Sequence, residues 1–111
     1  MSLLSNIKYA KHNRVHFISL EDREKGRKLF AEFFDGIRKE ELGREMIGHI
    51  ILDNSSDIQE SIILTFWDTR EDMDKFYSPE NKALTRLVER AKPLFEIMPE
   101  RTDYTVSAAS L

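Results

Sequence analysis

Cysteine is absent from the 111 residues, which removes disulfides, thiolate metal sites, dithiol redox chemistry and cysteine nucleophiles. Glycine (4) and proline (3) are scarce, and no repeat, linker or low-complexity tract divides the chain. Apolar runs are short, Ile50-Ile51-Leu52 and Ile62-Ile63-Leu64 being examples, so no segment resembles a membrane span. The opening Met1-Ser2-Leu3-Leu4-Ser5-Asn6 has neither a basic leader nor an apolar stretch, and a cytoplasmic protein is the expectation. GxSxG, P-loop and GxGxxG motifs are missing, and nucleophilic hydrolysis and nucleotide chemistry lose their sequence support with them. A net charge of −3 argues against a general binder of polyanions.

What is present is a globular balance, 41% hydrophobic and 33% charged, in a length that suits one domain. A chain this short buries only about 60–68% of its unfolded surface, so a second subunit would add core that it cannot build alone.

Residues 1–12 read as an N-terminal arm and residues 13–111 as the single domain. From Asn13, Val15 and Phe17 share one parity while Arg14, His16 and Ile18 share the other, which predicts a strand with two unlike faces. Ser19 and Asp22 form a capping pair, and Leu29, Phe30, Phe33, Phe34 and Ile37 recur at helical period, with Gly36 or Gly43 as the candidate stop. Met46–Asp53 and Glu60–Trp67 read as strands joined by the turn-forming Asp53-Asn54-Ser55-Ser56-Asp57. A short helix follows Thr69 and carries Met73, Phe76 and Tyr77; Ser78-Pro79 interrupts it. A longer helix then restarts near Glu80–Asn81 with Leu84, Leu87, Val88 and Ala91 on one face. Thr102–Ala109 reads as the last strand.

The fold class is therefore α+β, in the order β-α-β-β-α-β. This predicts a ferredoxin-like four-stranded antiparallel sheet with its helices on one face. Because the strands carry apolar residues at both parities, the other face is also apolar. Either the arm or tail covers it, or a second copy of the sheet does, and the homodimer is the expected arrangement.

The third strand, Glu60-Ser61-Ile62-Ile63-Leu64-Thr65-Phe66-Trp67, lacks the glycine and basic residue of an RNA-recognition strand, so nucleic acid is not an expected partner. His16 and His49 fall on strands separated by a third, and no His-x-His pairing exists, so no metal site is expected. His16 or His49 is a candidate general base by its ordinary pKa.

The stretch Ile62-Ile63-Leu64-Thr65-Phe66-Trp67-Asp68-Thr69-Arg70-Glu71-Asp72-Met73-Asp74-Lys75-Phe76-Tyr77-Ser78-Pro79-Glu80-Asn81-Lys82-Ala83-Leu84 resembles the antibiotic biosynthesis monooxygenase family. In that family a strand ends in an aromatic-acidic pair, followed by a capped short helix, a break and a second helical segment. The resemblance extends in outline over residues 13–108. It implies a dimeric α+β barrel in which each subunit keeps a pocket between sheet and helices. It also implies oxygenation of small phenols or quinols without metal, flavin or other cofactor.

Trp67, Phe76, Tyr77 and Phe33 are then the candidate substrate-binding residues, and Asn13 and His49 the candidate catalytic ones. The haem-degrading branch of the superfamily pairs a strand asparagine, matched by Asn13, with a helical tryptophan and a histidine. Here those two positions hold Phe76 and Arg86, and a guanidinium cannot be a neutral axial ligand. Quinol-oxidising members often place a histidine in the helix break, where this chain has Ser78-Pro79-Glu80-Asn81. The expected function is a cofactor-independent monooxygenase of a small aromatic; the alternative is a non-catalytic dimeric domain of the same fold that binds a small ligand.

Overall fold

The computed structural model describes residues 6–40 and 43–109. Its elements run β1 (Tyr9–Phe17), α1 (Leu20–Ile37), β2 (Met46–Asp53), β3 (Glu60–Trp67), α2 (Arg70–Phe76), α3 (Lys82–Ala91), a 3-10 turn (Lys92–Leu94) and β4 (Phe95–Thr105). The four strands form one antiparallel sheet in the order β2-β3-β1-β4, the ferredoxin-like arrangement. β2 and β3 coincide with the segments expected from the sequence.

Three boundaries differ. β1 begins at Tyr9, so residues 9–12 belong to the sheet and not to an arm; residues 1–5 lie outside the described residues. The polar Lys11 and His12 hide this end of the strand, although both have β3 partners, Thr65 and Leu64. Neither Gly36 nor Gly43 ends α1 through a left-handed turn. Arg38 closes the helix in right-handed geometry, and no residue among those described has a positive φ. β4 starts at Phe95 and stops at Thr105, short of Ala109. Pro99 is tolerated inside it because β4 is an edge strand and the register with β1 shifts between His16↔Ile97 and Arg14↔Glu100.

Caps set the helix starts. Ser19 Oγ accepts the Asp22 N–H at 3.1 Å and Thr69 Oγ1 accepts the Asp72 N–H at 3.1 Å. Asn81, buried, staples the break between α2 and α3. Its Nδ2 donates to the Phe76 carbonyl at 2.9 Å and its Oδ1 accepts the Leu84 N–H at 3.2 Å. The helix break, Ser78-Pro79-Glu80-Asn81, thus ends on a structural amide.

All three helices cover one face of the sheet. Odd-numbered residues of β1 and β3 (Val15, Phe17, Ile63, Thr65, Trp67) meet Phe30, Phe34, Met73, Phe76, Leu84 and Leu87 in a single core. Phe17, Phe30 and Phe95 form its aromatic floor, with centroids 5.8–6.5 Å apart. The even-numbered positions point away from the helices. There Ile50, Leu52 and Tyr104 are 46–51% exposed, and Ile97, which the irregular β4 register sets opposite His16, is 53% exposed.

Gly26 is the one glycine that the helix–sheet contact demands. A Cβ there would lie 2.3 Å from Phe17 Cε1, so α1 approaches β1 more closely than any side chain permits. Gly26→Ala should therefore destabilise the protein by about 1–3 kcal/mol through overpacking, despite alanine's better helix propensity. A lower urea midpoint at unchanged slope is the expected measurement.

Candidate active site

Between the sheet and the helices lies a cavity in two parts. The inner part, about 40 Å³, has Asn13, Val15 and Ile63 as its floor and Phe30, Phe34, Phe76 and Leu87 as its walls. That is room for a water or a diatomic molecule and not for an aromatic ring. The outer part, about 390 Å³, opens past Ser78, Pro79, Thr85, Glu89 and Met98, and falls in the size range of small-molecule sites. Tyr77, Leu84, Val88, Pro99 and Arg101 border both parts and make the neck between them.

One hydrogen-bond network supplies the polarity of the neck. Asn13 Nδ2 donates to the Ile63 carbonyl at 3.0 Å and to the Tyr77 hydroxyl at 3.2 Å. The carbonyl can only accept, so the amide cannot be flipped, and Oδ1 faces Arg101, accepting from its Nε at 3.2 Å. Thr65 Oγ1 lies 2.9 Å from the Tyr77 oxygen and accepts the Trp67 indole N–H at 3.0 Å. Two cations lie over the Tyr77 ring, Lys11 Nζ at 4.8 Å and Arg101 Cζ at 5.0 Å from its centroid. Lys11 is neutralised by an ion pair with Asp103, which also takes Arg70 at 3.1 Å. Burial pushes the Tyr77 hydroxyl above its usual range; hydrogen bonds from Thr65 and Asn13 and the charge of Arg101 oppose this without cancelling it. At neutral pH Tyr77 is a proton donor, not a base.

No family model matches the sequence, and no curated protein matches it. Solved structures do. A dimeric ferredoxin-like protein from an uncultured marine organism aligns with TM-score 0.77 and 16% identity, over 95% of this chain and 92% of that one. A candidate antibiotic biosynthesis monooxygenase from Deinococcus radiodurans aligns with TM-score 0.72 and 18% identity, over 93% and 96%. A monooxygenase from the gene ActVA-Orf6 of Streptomyces coelicolor, in complex with Nanaomycin D, aligns with TM-score 0.73 and 13% identity, over 96% and 94%. The chain has the antibiotic biosynthesis monooxygenase fold.

Within this fold the residues expected from the sequence divide. Asn13, Phe76 and Tyr77 line the inner cavity. Trp67 and Phe33 do not; they brace Phe76 from behind, with ring centroids 5.2 and 6.3 Å from it. His49 faces the helices but stacks on Phe34 at 4.4 Å, outside the cavity lining. Its Nδ1 is buried without a partner. Burial, and secondarily Arg38, lower its pKa against the pull of Asp35, so the ring is a neutral packing group that does not reach the cavity as a base.

His16 points to the opposite face, where its Nε2 lies 3.5 Å from Asp57 and 3.6 Å from Glu60. Those three could offer ligand atoms within 4.8 Å of one another. Arg14 already occupies Glu60 Oε2 at 2.9 Å and Asn54 donates to Oε1 at 3.3 Å, so the negative charge is answered by a guanidinium.

Sequence reading missed Thr65, Lys11, Arg101 and Asp103. The available signal was parity: Lys11 shares the buried parity of Asn13 and Val15, and β4 pairs Arg101 with Asn13 and Asp103 with Lys11.

A tyrosine whose folded-state pKa is raised contributes stability that is complete below its unfolded pKa, near about 10, and is lost as pH climbs through the higher folded value. Alkaline titration followed by tyrosinate absorbance should show a late step from Tyr77. In Tyr77→Phe that late step should vanish and the loss of stability above about pH 10 should flatten.

Proposed function

We propose that the protein is a cofactor-independent monooxygenase of the antibiotic biosynthesis monooxygenase family, oxidising a small phenol or quinol in the helix–sheet cavity. The observation that carries this reading is the two-part cavity: a largely apolar inner room, with Asn13 in its floor, behind a neck whose polar groups are Tyr77 and Arg101. Likeness of fold to monooxygenase structures supports it, as does the Streptomyces coelicolor monooxygenase in complex with the ligand Nanaomycin D.

The chemistry asks for a pocket, orientation and a proton donor. A deprotonated phenol passes one electron to dioxygen, and the resulting radical pair joins through a C–O bond at a ring carbon ortho to the oxygen. The peroxide takes a proton, the O–O bond then breaks as the ring hydrogen leaves, and the products are a quinone and water. One oxygen atom ends in each product, so no external reductant is consumed. In this scheme the outer cavity holds the ring against Tyr77 and Leu84, and the inner room admits dioxygen. Tyr77 gives the proton; Asn13 is a positioning residue that fixes Tyr77 and Arg101. Phe76 shapes the wall, braced by Trp67 and Phe33.

The same reading makes the protein a homodimer. Ile50 and Leu64, Leu52 and Ile62, and Phe66 beside Ala10 and Tyr104 form adjacent rows on the sheet face away from the helices, a contiguous apolar surface of the kind that pairs with its own copy. The acidic–basic group Arg14, His16 and Glu60 lies at its border.

Sedimentation at micromolar concentration should give twice the 13.1 kDa chain mass, and Leu52→Glu should shift it to the monomer. Dioxygen uptake with a naphthol or naphthoquinol panel, in buffer cleared of metals, is the expected activity. Tyr77→Phe should lower kcat by about 10²-fold or more, the usual loss when a proton donor is removed. Asn13→Ala and Phe76→Ala should lower kcat/KM. Saturable binding without uptake across the panel would instead identify a ligand-binding domain.

A further inference from the structure

We propose that Arg101 is an anion anchor and that the ligand of this site is an aromatic monoanion, bound with its charged oxygen at the neck and its uncharged end outward. The proposal rests on the cavity reading above and adds the charge and orientation of what the cavity takes.

Arg101 borders both the inner and the outer cavity. Of its five N–H donors, one is used among the described residues: Nε, on Asn13 Oδ1. Among the described residues no carboxylate lies within 4 Å of it, whereas its cationic neighbours are matched. Lys11 pairs with Asp103, and Arg70 pairs with Asp103 and, at 3.6 Å, with Asp74. The terminal nitrogens of this solvent-exposed side chain therefore offer a forked donor at the edge of an apolar room, a geometry that matches a carboxylate or phenolate oxygen. Its plane is held on one side by the Tyr77 ring and its register by Asn13, so little freedom is lost on binding.

The outer wall has the reverse character. Glu89 on α3 lines it beside the hydroxyl-bearing Ser78 and Thr85. A second anionic group on the ligand would face Glu89, while a hydroxyl or carbonyl would find donors and acceptors there. Charge at the neck, neutrality at the mouth and an aromatic body between Leu84, Val88 and Pro99 define a monoanion entering anion-first.

Anaerobic titration calorimetry with 1-hydroxy-2-naphthoate and its neutral carboxamide tests this without requiring turnover. The anion should bind wild type at least about tenfold more tightly than the amide, the worth of one charge-assisted hydrogen bond. Arg101→Gln, which keeps an N–H for Asn13, should erase that preference by weakening the anion alone. Arg101→Lys should restore part of it, and Glu89→Gln should improve binding of a dicarboxylate analogue. Equal affinity for the two probes, a preference that survives in Arg101→Gln, or no binding of either probe at millimolar concentration would overturn the proposal. Anion preference without dioxygen uptake would overturn the monooxygenase reading and leave the anchor standing; uptake confined to neutral substrates would do the opposite.

Discussion

The amide of Asn13 is the constraint on which the site depends. It sits in the middle of β1, a central strand with β3 on one side and β4 on the other, and its backbone partners there are Ile63 and Arg101. Its side chain repeats that connectivity, bonding the Ile63 carbonyl, the Tyr77 hydroxyl and the Arg101 guanidinium. A buried amide left unpaired costs about 1–3 kcal/mol per group, so the three partners are held wherever Asn13 holds them. β3, the end of α2 and β4 thereby converge on one point, and the cavity neck is as rigid as the sheet beneath it.

The period of two along β1 separates two tasks. Its odd residues, Lys11, Asn13, Val15 and Phe17, face the helices and supply first the polar neck and then the core. Its even residues, Ala10, His12, Arg14 and His16, face away and join the apolar rows of β2 and β3. Electrostatics follow the same division. On the helix side Asp103 answers Lys11, and the charge of Arg101 is left for the cavity. On the far side Glu60 is answered by Arg14. Burial pushes the Glu60 carboxyl up, but hydrogen bonds from Asn54 and Arg14 and the nearby charges of Arg14 and His16 bring it below its usual range.

Much of the scaffold was legible before any coordinates. Consecutive aliphatics bounded by turn formers placed β2 and β3 at their observed residues, and Ser19, Thr69 and Asn81 marked helix starts because a capping side chain must precede the helix it caps. The misreadings have local causes. Polar residues at the start of β1 look like an arm because a strand that carries a site departs from apolar alternation. Pro99 hides the first half of β4, since proline signals a break unless the strand is known to be an edge. Phe76 and Tyr77, expected from their place after β3, lie at the cavity lining, whereas His49 lies outside it, stacked on Phe34, because its chemistry is visible in sequence and its packing is not.

Sequence alone determined the order of elements, the absence of thiol chemistry, the two-faced character of the strands and the aromatic supply of the core, all of which follow from local periodicity and composition. Only the tertiary structure decided which polar groups meet. Lys11, Thr65, Tyr77 and Arg101 are scattered across the chain, and Asn13 and Arg101 are separated by 88 positions. Strand pairing and helix packing bring them within hydrogen-bonding or ring-stacking distance, and the pairing of β1 with β4 joins residues too far apart in the chain for a local pattern to connect.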